Sequence, residues 1–183
     1  MRIISGTARG TKLYTLEGSK TRPTLDRVKE SVFNIIQNQI KEATVLDLFS
    51  GSGAIALEAL SRGAKKAVVC DNSKDAIEVI RKNIQKTHFE QKVELYNTDY
   101  KKCLENVKTQ KFNIIYLDPP YKTNLAKDSI EKILDLNLID NNSIIIIETD
   151  EEKNIKEIEK LKIQIVDQRK YGRAFIVFAK KST

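Results

Sequence analysis

A carboxylate, two prolines and an aromatic ring stand in succession at Asp118-Pro119-Pro120-Tyr121, directly after the apolar run 112–117. An acid followed by a fixed carbonyl offers two neighbouring acceptors, which is what an exocyclic amine needs if it is to act as a nucleophile. The lone pair of such a nitrogen is delocalised into its ring. With its two N–H groups bound by the Asp118 carboxylate and the Pro119 carbonyl, the nitrogen becomes more tetrahedral and its lone pair is aimed at an electrophile. Pro119 and Pro120 fix φ and hold that carbonyl in place beforehand. Tyr121 offers a ring face on which a base withdrawn from its stack can lie. A rigid turn at the end of a strand would use the same four residues, so their chemistry depends on what is built around them.

A second constellation lies upstream, in Val45-Leu46-Asp47-Leu48-Phe49-Ser50-Gly51-Ser52-Gly53. Gly51 and Gly53 let backbone approach a ligand closely, and the helix expected after them presents its N-terminus. Asp71, 18 residues beyond Gly53, ends the next apolar run, where a carboxylate can accept hydrogen bonds from both hydroxyls of a ribose. A ribose belongs equally to a dinucleotide and to S-adenosylmethionine. Asp47 favours the second: a negative charge at the glycine loop repels a pyrophosphate but suits an ammonium and a nearby sulfonium. Asp99 is placed to accept from an adenine amino group, or to cap the helix that follows it. Phe49, Asn72 and Tyr100 complete the expected cofactor-binding set. Attack is then in line, with neither a covalent enzyme intermediate nor a metal. His88 is the only histidine and is expected at a helix end on the surface, so a zinc or two-histidine site has no support, and no G-x-x-x-x-G-K-[ST] phosphate loop exists.

The elements that must position these residues follow from hydrophobic period. Apolar runs at 44–49, 66–70, 93–97, 112–117 and 143–148 predict buried strands, alternating with helix-period segments at 54–62, 73–86, 100–107, 125–136 and 151–161. This is the pattern of a doubly wound, mostly parallel α/β sheet, whose ligands bind beyond the carboxyl ends of the strands where strand order reverses. Segments 163–167 and 175–179 flank Lys170-Tyr171-Gly172-Arg173 and predict a hairpin that closes the sheet, for seven strands in all. Segments 2–5 and 11–15 flank Gly6 to Gly10 and predict a second hairpin outside it. A helix over 25–40, capped by Thr24 or Asp26, joins that extension (1–24) to the core (25–183). One domain is expected for 183 residues.

The formal charge of +7 is unevenly spread: residues 1–30 carry seven Lys/Arg against three Asp/Glu, and residues 169–183 carry five against none. Phosphate contacts with a nucleic acid would use such ends, and a solvated surface in a Lys-rich chain would show them too. No apolar stretch approaches the length of a bilayer span and the first residues lack the apolar core of a secretory signal, so a cytoplasmic protein is expected. Cys70 and Cys103 have no metal-ligand spacing and are expected to be reduced.

Together, residues 2–13 (RIISGTARGTKL), 21–34 (TRPTLDRVKESVFN), the Asp47 to Gly53 loop with 57–64 (LEALSRGA), and Asp118 to Tyr121 resemble the RsmD-type 16S ribosomal RNA guanine-N2 methyltransferases over nearly the whole chain. The DPPY tetrad is shared by many amino-methyltransferases; the first two blocks narrow the likeness to this family. The resemblance implies a Rossmann-like class I methyltransferase sheet with a reversed last strand, S-adenosylmethionine as donor, and a flipped guanine of free or partly assembled small-subunit RNA as acceptor. It implies also that the N-terminal hairpin and residues 21–27 approach RNA, making Arg2, Arg9, Lys12, Arg22 and Arg27 the expected RNA-facing cations. A monomer is expected. Ser5 stands where the family usually has glycine, and Tyr171-Gly172-Arg173-Ala174 departs from its usual hairpin. Two other readings stay open on the residues alone: methylation of another amine, such as adenine N6 in DNA or a protein glutamine, and a non-catalytic RNA-binding assembly protein.

Overall fold

Consecutive residues of a strand face opposite sides of a sheet, so strands that are apolar at every position must be covered on both faces. That is what the computed structural model, which describes residues 1–18 and 23–183, contains. The strands are β1 (Thr44–Asp47), β2 (Lys66–Asp71), β3 (Val93–Asn97), β4 (Ile114–Leu117), β5 (Ile144–Thr149), β6 (Ile163–Tyr171) and β7 (Ala174–Lys181). They form one sheet in the order β3-β2-β1-β4-β5-β7-β6, with β1 to β5 parallel and β7 antiparallel to both its neighbours. Strand order reverses between β1 and β4, which puts the ligand-binding crevice at their carboxyl ends. The reversed last strand is the one implied by the family resemblance.

Val45, Ala67, Val69, Ile114, Tyr116 and Ile146 face a core shared with α1 (Pro23–Ile35), α3 (Ala54–Ser61) and α4 (Lys74–Thr87). The alternate residues Leu46, Val68, Ile115, Leu117, Ile145 and Ile147 face α5 (Tyr100–Asn106), α6 (Leu125–Asp135) and α7 (Glu152–Ile158). The helix expected over 25–40 is interrupted: α1 ends at Ile35 and a single turn, α2 (Gln37–Ile40), follows. Val28, Val32, Phe33, Ile36 and Ile40 nevertheless stay buried along one side, as a helical period requires. The closing hairpin is longer than expected, its ladder running to a two-residue turn at Gly172-Arg173, and a hydrogen bond between Ser31 and Tyr171 ties it to α1. His88 is exposed at the end of α4, and Cys70 and Cys103 are buried free thiols. Among the described residues no helix is long and apolar enough to cross a membrane.

The N-terminal segment departs most from expectation. Instead of two strands at 2–5 and 11–15, it makes one antiparallel bridge, Arg2 to Lys12. Past that bridge the backbone is fastened to α3 instead. Glu58 accepts from the N–H groups of Ile4 (2.8 Å) and Ser5 (3.3 Å), while Thr7 N–H donates to the Ser61 carbonyl and Ala8 N–H to the Ser61 hydroxyl. Gly6 is required there: a Cβ would lie 1.8 Å from the Ser61 carbonyl oxygen, and φ is +90°. Glu58 is fully buried and its charge is met by Lys29 (3.3 Å) and Arg62 (3.5 Å), as a buried carboxylate demands. Farther along, buried Asn83 of α4 accepts from Tyr14 N–H (2.7 Å) and donates to the carbonyls of Tyr14 and Ser52 (both 2.9 Å), so the segment is fastened to the glycine loop itself.

Candidate active site

The carboxyl ends of β1, β2, β4 and β5 open onto a cavity of ≈ 680 Å³, walled on its remaining side by Met1, Thr15, Leu16, Leu25, Val28 and Lys29. Its first half is the glycine loop. Ser50 N–H donates to the Cys70 carbonyl (3.0 Å) and Gly53 N–H to the Ser50 carbonyl (2.9 Å), which folds the loop back over β2. Gly51 lines the cavity with φ +59° and nothing within 4 Å of where a Cβ would be, and Gly53 caps α3 with φ +80°. Asp71 holds the loop: its Oδ2 accepts from Gly51 N–H and its Oδ1 from Ser73 N–H, both at 2.9 Å. Each oxygen keeps acceptor capacity, and the residue lines the cavity beside Asn72. Phe49 and Tyr100, also in the lining, set their rings 6.0 Å apart.

Two expected cofactor residues sit differently from the rest. Asp99 is exposed and caps α5 by accepting from Lys102 N–H (3.0 Å); Thr98 and Tyr100 on either side of it face the cavity, and Asp99 itself is not in the lining. Asp47 lies beneath the cavity floor, 1% exposed, with Oδ2 lacking any hydrogen-bond partner. Burial pushes its carboxyl up to about 7 against the opposing effect of the Ser50 hydrogen bond. A buried, partnerless carboxylate oxygen next to a glycine loop is a site waiting for positive charge.

The second half holds Asp118, Pro119, Pro120 and Tyr121, all in the lining, with Tyr121 56% exposed at the mouth and its ring free to be covered. The Thr123 hydroxyl donates to the Pro120 carbonyl (2.7 Å) and closes the turn. Glu148, at the end of β5, also lines the cavity and was not anticipated. A carboxylate at the carboxyl end of a strand is the signal that singled out Asp47, Asp71 and Asp118, and Glu148 carries it too. Tyr116 OH donates to Glu148 Oε2 (2.8 Å). Burial, then the charge of Glu148, then that of Asp47, hold the Asp118 carboxyl well above its ordinary value, and burial raises Glu148 as well. Lys29 is the other unanticipated charged residue of the lining; burial lowers its pKa, opposed by Glu58. Of the expected RNA-facing cations Arg2, Arg9, Lys12 and Arg27 are exposed, and Arg22 lies outside the described residues.

These groups fit S-adenosylmethionine: spare acceptor capacity at Asp71 of the kind a ribose needs, an open loop at Gly51, aromatic walls at Phe49 and Tyr100, and a buried carboxylate oxygen without a partner at Asp47. The family model described as "Conserved hypothetical protein 95" matches residues 1–180. Ribosomal RNA small subunit methyltransferase D of Haemophilus influenzae is 38% identical over 156 residues, 84% of this chain and 80% of that protein. The chain belongs to the RsmD family. The solved structure of yhhF from Escherichia coli matches this RsmD-family protein with a TM-score of 0.86 and 29% identity over 100% of this chain and 98% of that one. SMU.776, solved in complex with S-adenosylhomocysteine, shares the fold at a TM-score of 0.63 and 20% identity, over 80% of this chain and 48% of that one. The fold is that of the S-adenosylmethionine-dependent methyltransferases.

Asp71→Ala is expected to weaken S-adenosylhomocysteine binding by about 1 to 3 kcal/mol, the worth of hydrogen bonds to a charged group. Gly51 N–H loses its partner in the same substitution, so the loss includes loop order. Calorimetric titration of the folded variant checks it; an unchanged dissociation constant would leave Asp71 a purely structural residue.

Proposed function

We propose that this RsmD-family protein methylates the exocyclic N2 amine of a guanine in small-subunit ribosomal RNA, acting in the cytoplasm as a monomer on free or partly assembled subunits. The observation that carries the reading is the meeting, in one cavity, of a cofactor half built on Gly51 and Asp71 with an acceptor half built on Asp118 to Tyr121. Bound S-adenosylmethionine supplies an electrophilic methyl carbon. The Asp118 carboxylate and the Pro119 carbonyl accept the two N–H groups of the amine and aim its lone pair in line, Tyr121 stacks on the flipped base, and Asp118 takes the proton that the nitrogen sheds after transfer.

The basic N-terminal segment supports an RNA partner. Its single bridge is flanked by Ile3 N–H to Thr11 carbonyl and Leu13 N–H to Met1 carbonyl bonds, both 2.9 Å, so Arg2 and Lys12 form the closely spaced, non-hydrogen-bonded kind of pair. Like charges directly opposite are destabilising, and an anion across them removes the cost. Neutralising Arg9 and Lys12 together is expected to weaken RNA binding and to flatten its salt dependence by roughly one unit of log–log slope for each phosphate no longer neutralised, with donor affinity unchanged. A double variant that keeps both affinity and slope would make the basic end an ordinary solvated surface.

Labelled methyl donor offered with naked small-subunit RNA, partly assembled subunits and DNA, followed by nucleoside analysis, tests the function. N2-methylguanosine from one of the RNA substrates is expected. N6-methyladenine in DNA, or no transfer to any nucleic acid, would overturn it.

A further inference from the structure

Strand register places a second acid beside the acceptor carboxylate. Leu117 of β4 pairs with Ile147 of β5, and both face the α5–α6–α7 side. The next residues, Asp118 and Glu148, therefore turn together to the opposite face, about one strand spacing (~4.8 Å) apart, and both line the cavity. Tyr116 OH, two residues before Asp118 on the same face, holds Glu148 Oε2 at 2.8 Å. Glu148 Oε1 has no hydrogen-bond partner among the described residues, so this side chain is braced through one oxygen and offers the other to the cavity.

An amine that docks on Asp118 presents whatever adjoins it on its ring to Glu148. In adenine and cytosine the ring nitrogen next to the amine carries a lone pair, which an ionised carboxylate repels. In guanine that nitrogen is N1–H, a donor lying beside the N2 amine. Two acceptors side by side match that edge alone among the amine-bearing bases.

We infer that Glu148 accepts the N1–H of the acceptor guanine while Asp118 holds its N2 amine, so that the carboxylate pair, with Tyr116 as the positioning residue of Glu148, selects guanine. This rests on the guanine reading proposed above and gives that reading its chemical basis. A site that hydrogen-bonds a substrate N–H discriminates against an analogue lacking it because the buried acceptor is left unpaired.

The test uses small-subunit RNA assembled by splinted ligation with either guanine or 2-aminopurine at the methylated position; 2-aminopurine keeps the exocyclic amine but has an unprotonated N1. The wild-type protein is expected to methylate the 2-aminopurine RNA with kcat/KM about 10- to 100-fold lower. In Glu148→Gln the amide can donate to that N1, so the ratio is expected to shrink several-fold, by slower reaction of guanine rather than by general loss, while calorimetry shows S-adenosylhomocysteine affinity held within about twofold. Any discrimination due to the missing O6 persists in the variant and does not enter the change. An unchanged ratio overturns the inference, as does an equal loss on both RNAs accompanied by weakened S-adenosylhomocysteine binding, which would place Glu148 on the donor side. Failure of the wild-type protein to methylate the guanine RNA at all is a separate result, and it overturns the guanine reading itself.

Discussion

Asp118→Ala is expected to lower single-turnover methylation by about 10²- to 10⁴-fold, the range for a residue that both positions and deprotonates, while S-adenosylhomocysteine binds almost as well as before. The separation follows from position: Asp118 ends β4 on the acceptor side, and the loop that carries Gly51 is held by Asp71 from β2. Its surroundings also set the pH dependence. Burial first, then the neighbouring Glu148 and Asp47 carboxylates, raise the Asp118 pKa, so the proton is retained at pH values where an ordinary aspartate has lost it. Only the ionised carboxyl accepts both from the amine and, later, its proton. The rate should therefore climb with pH through a limb displaced above the usual carboxylate range, and Glu148→Gln should move that limb back down, because one of the charges raising Asp118 is gone. The groups facing this pair are Tyr116, Tyr121 and Asp47; burial is the first cause of a raised pKa in all three. Rate–pH profiles of the two proteins check the direction; a limb at the ordinary aspartate value would remove Asp118 from the proton transfer.

Asp47→Asn is expected to stabilise the cofactor-free protein in mild base and to weaken donor binding in the same conditions. The folded pKa is raised, from a model-peptide value of 3.8 to about 7. For a carboxyl raised in the folded state, the contribution to stability is greatest below the unfolded pKa and is lost as pH rises toward the folded one. Above about pH 7 the buried ionised group then costs about 4 kcal/mol relative to the unfolded chain, at 1.36 kcal/mol per unit. Asparagine cannot ionise and escapes that cost. Denaturation curves without cofactor should show a gain for Asp47→Asn at pH 8 that falls to less than half at pH 5 and vanishes below about pH 4, and titration with S-adenosylmethionine at pH 8 should show the accompanying loss of affinity. Equal stability of the two proteins at pH 8 would mean that Asp47 carries no unmatched charge. The trade is the usual one at a binding site, where a group unsuited to the empty fold is retained because the ligand completes it.

Hydrophobic period located all seven strands to within a few residues at their ends; the central ones, covered on both faces, are apolar at nearly every position, whereas the edge strands β3 and β6 carry polar residues among the apolar ones. The glycine loop, Asp71 and Asp118 were legible for a related reason: a doubly wound sheet delivers its chemistry at the carboxyl ends of its strands, and a lone carboxylate after an apolar run stands out. Period could not say how the N-terminal segment would spend its backbone hydrogen bonds. Residues 2–5 and 11–15 have the look of a hairpin, but Glu58 and Ser61, more than fifty residues away, bind the N–H groups of Ile4, Ser5, Thr7 and Ala8 and draw the segment onto α3. Asp99 reads equally well as ligand or cap, and only the course of the chain into α5 turned it toward Lys102 N–H. Glu148 shows the same limit at the site itself. Its place at a strand end is local and was visible in the sequence, whereas its place beside Asp118 depends on β5 pairing with β4, on the register of Leu117 with Ile147, and on a hydroxyl from Tyr116. Local pattern fixes which face a side chain takes; which two carboxylates stand side by side is settled by strand order, because only the assembled sheet brings residues thirty positions apart to one strand spacing.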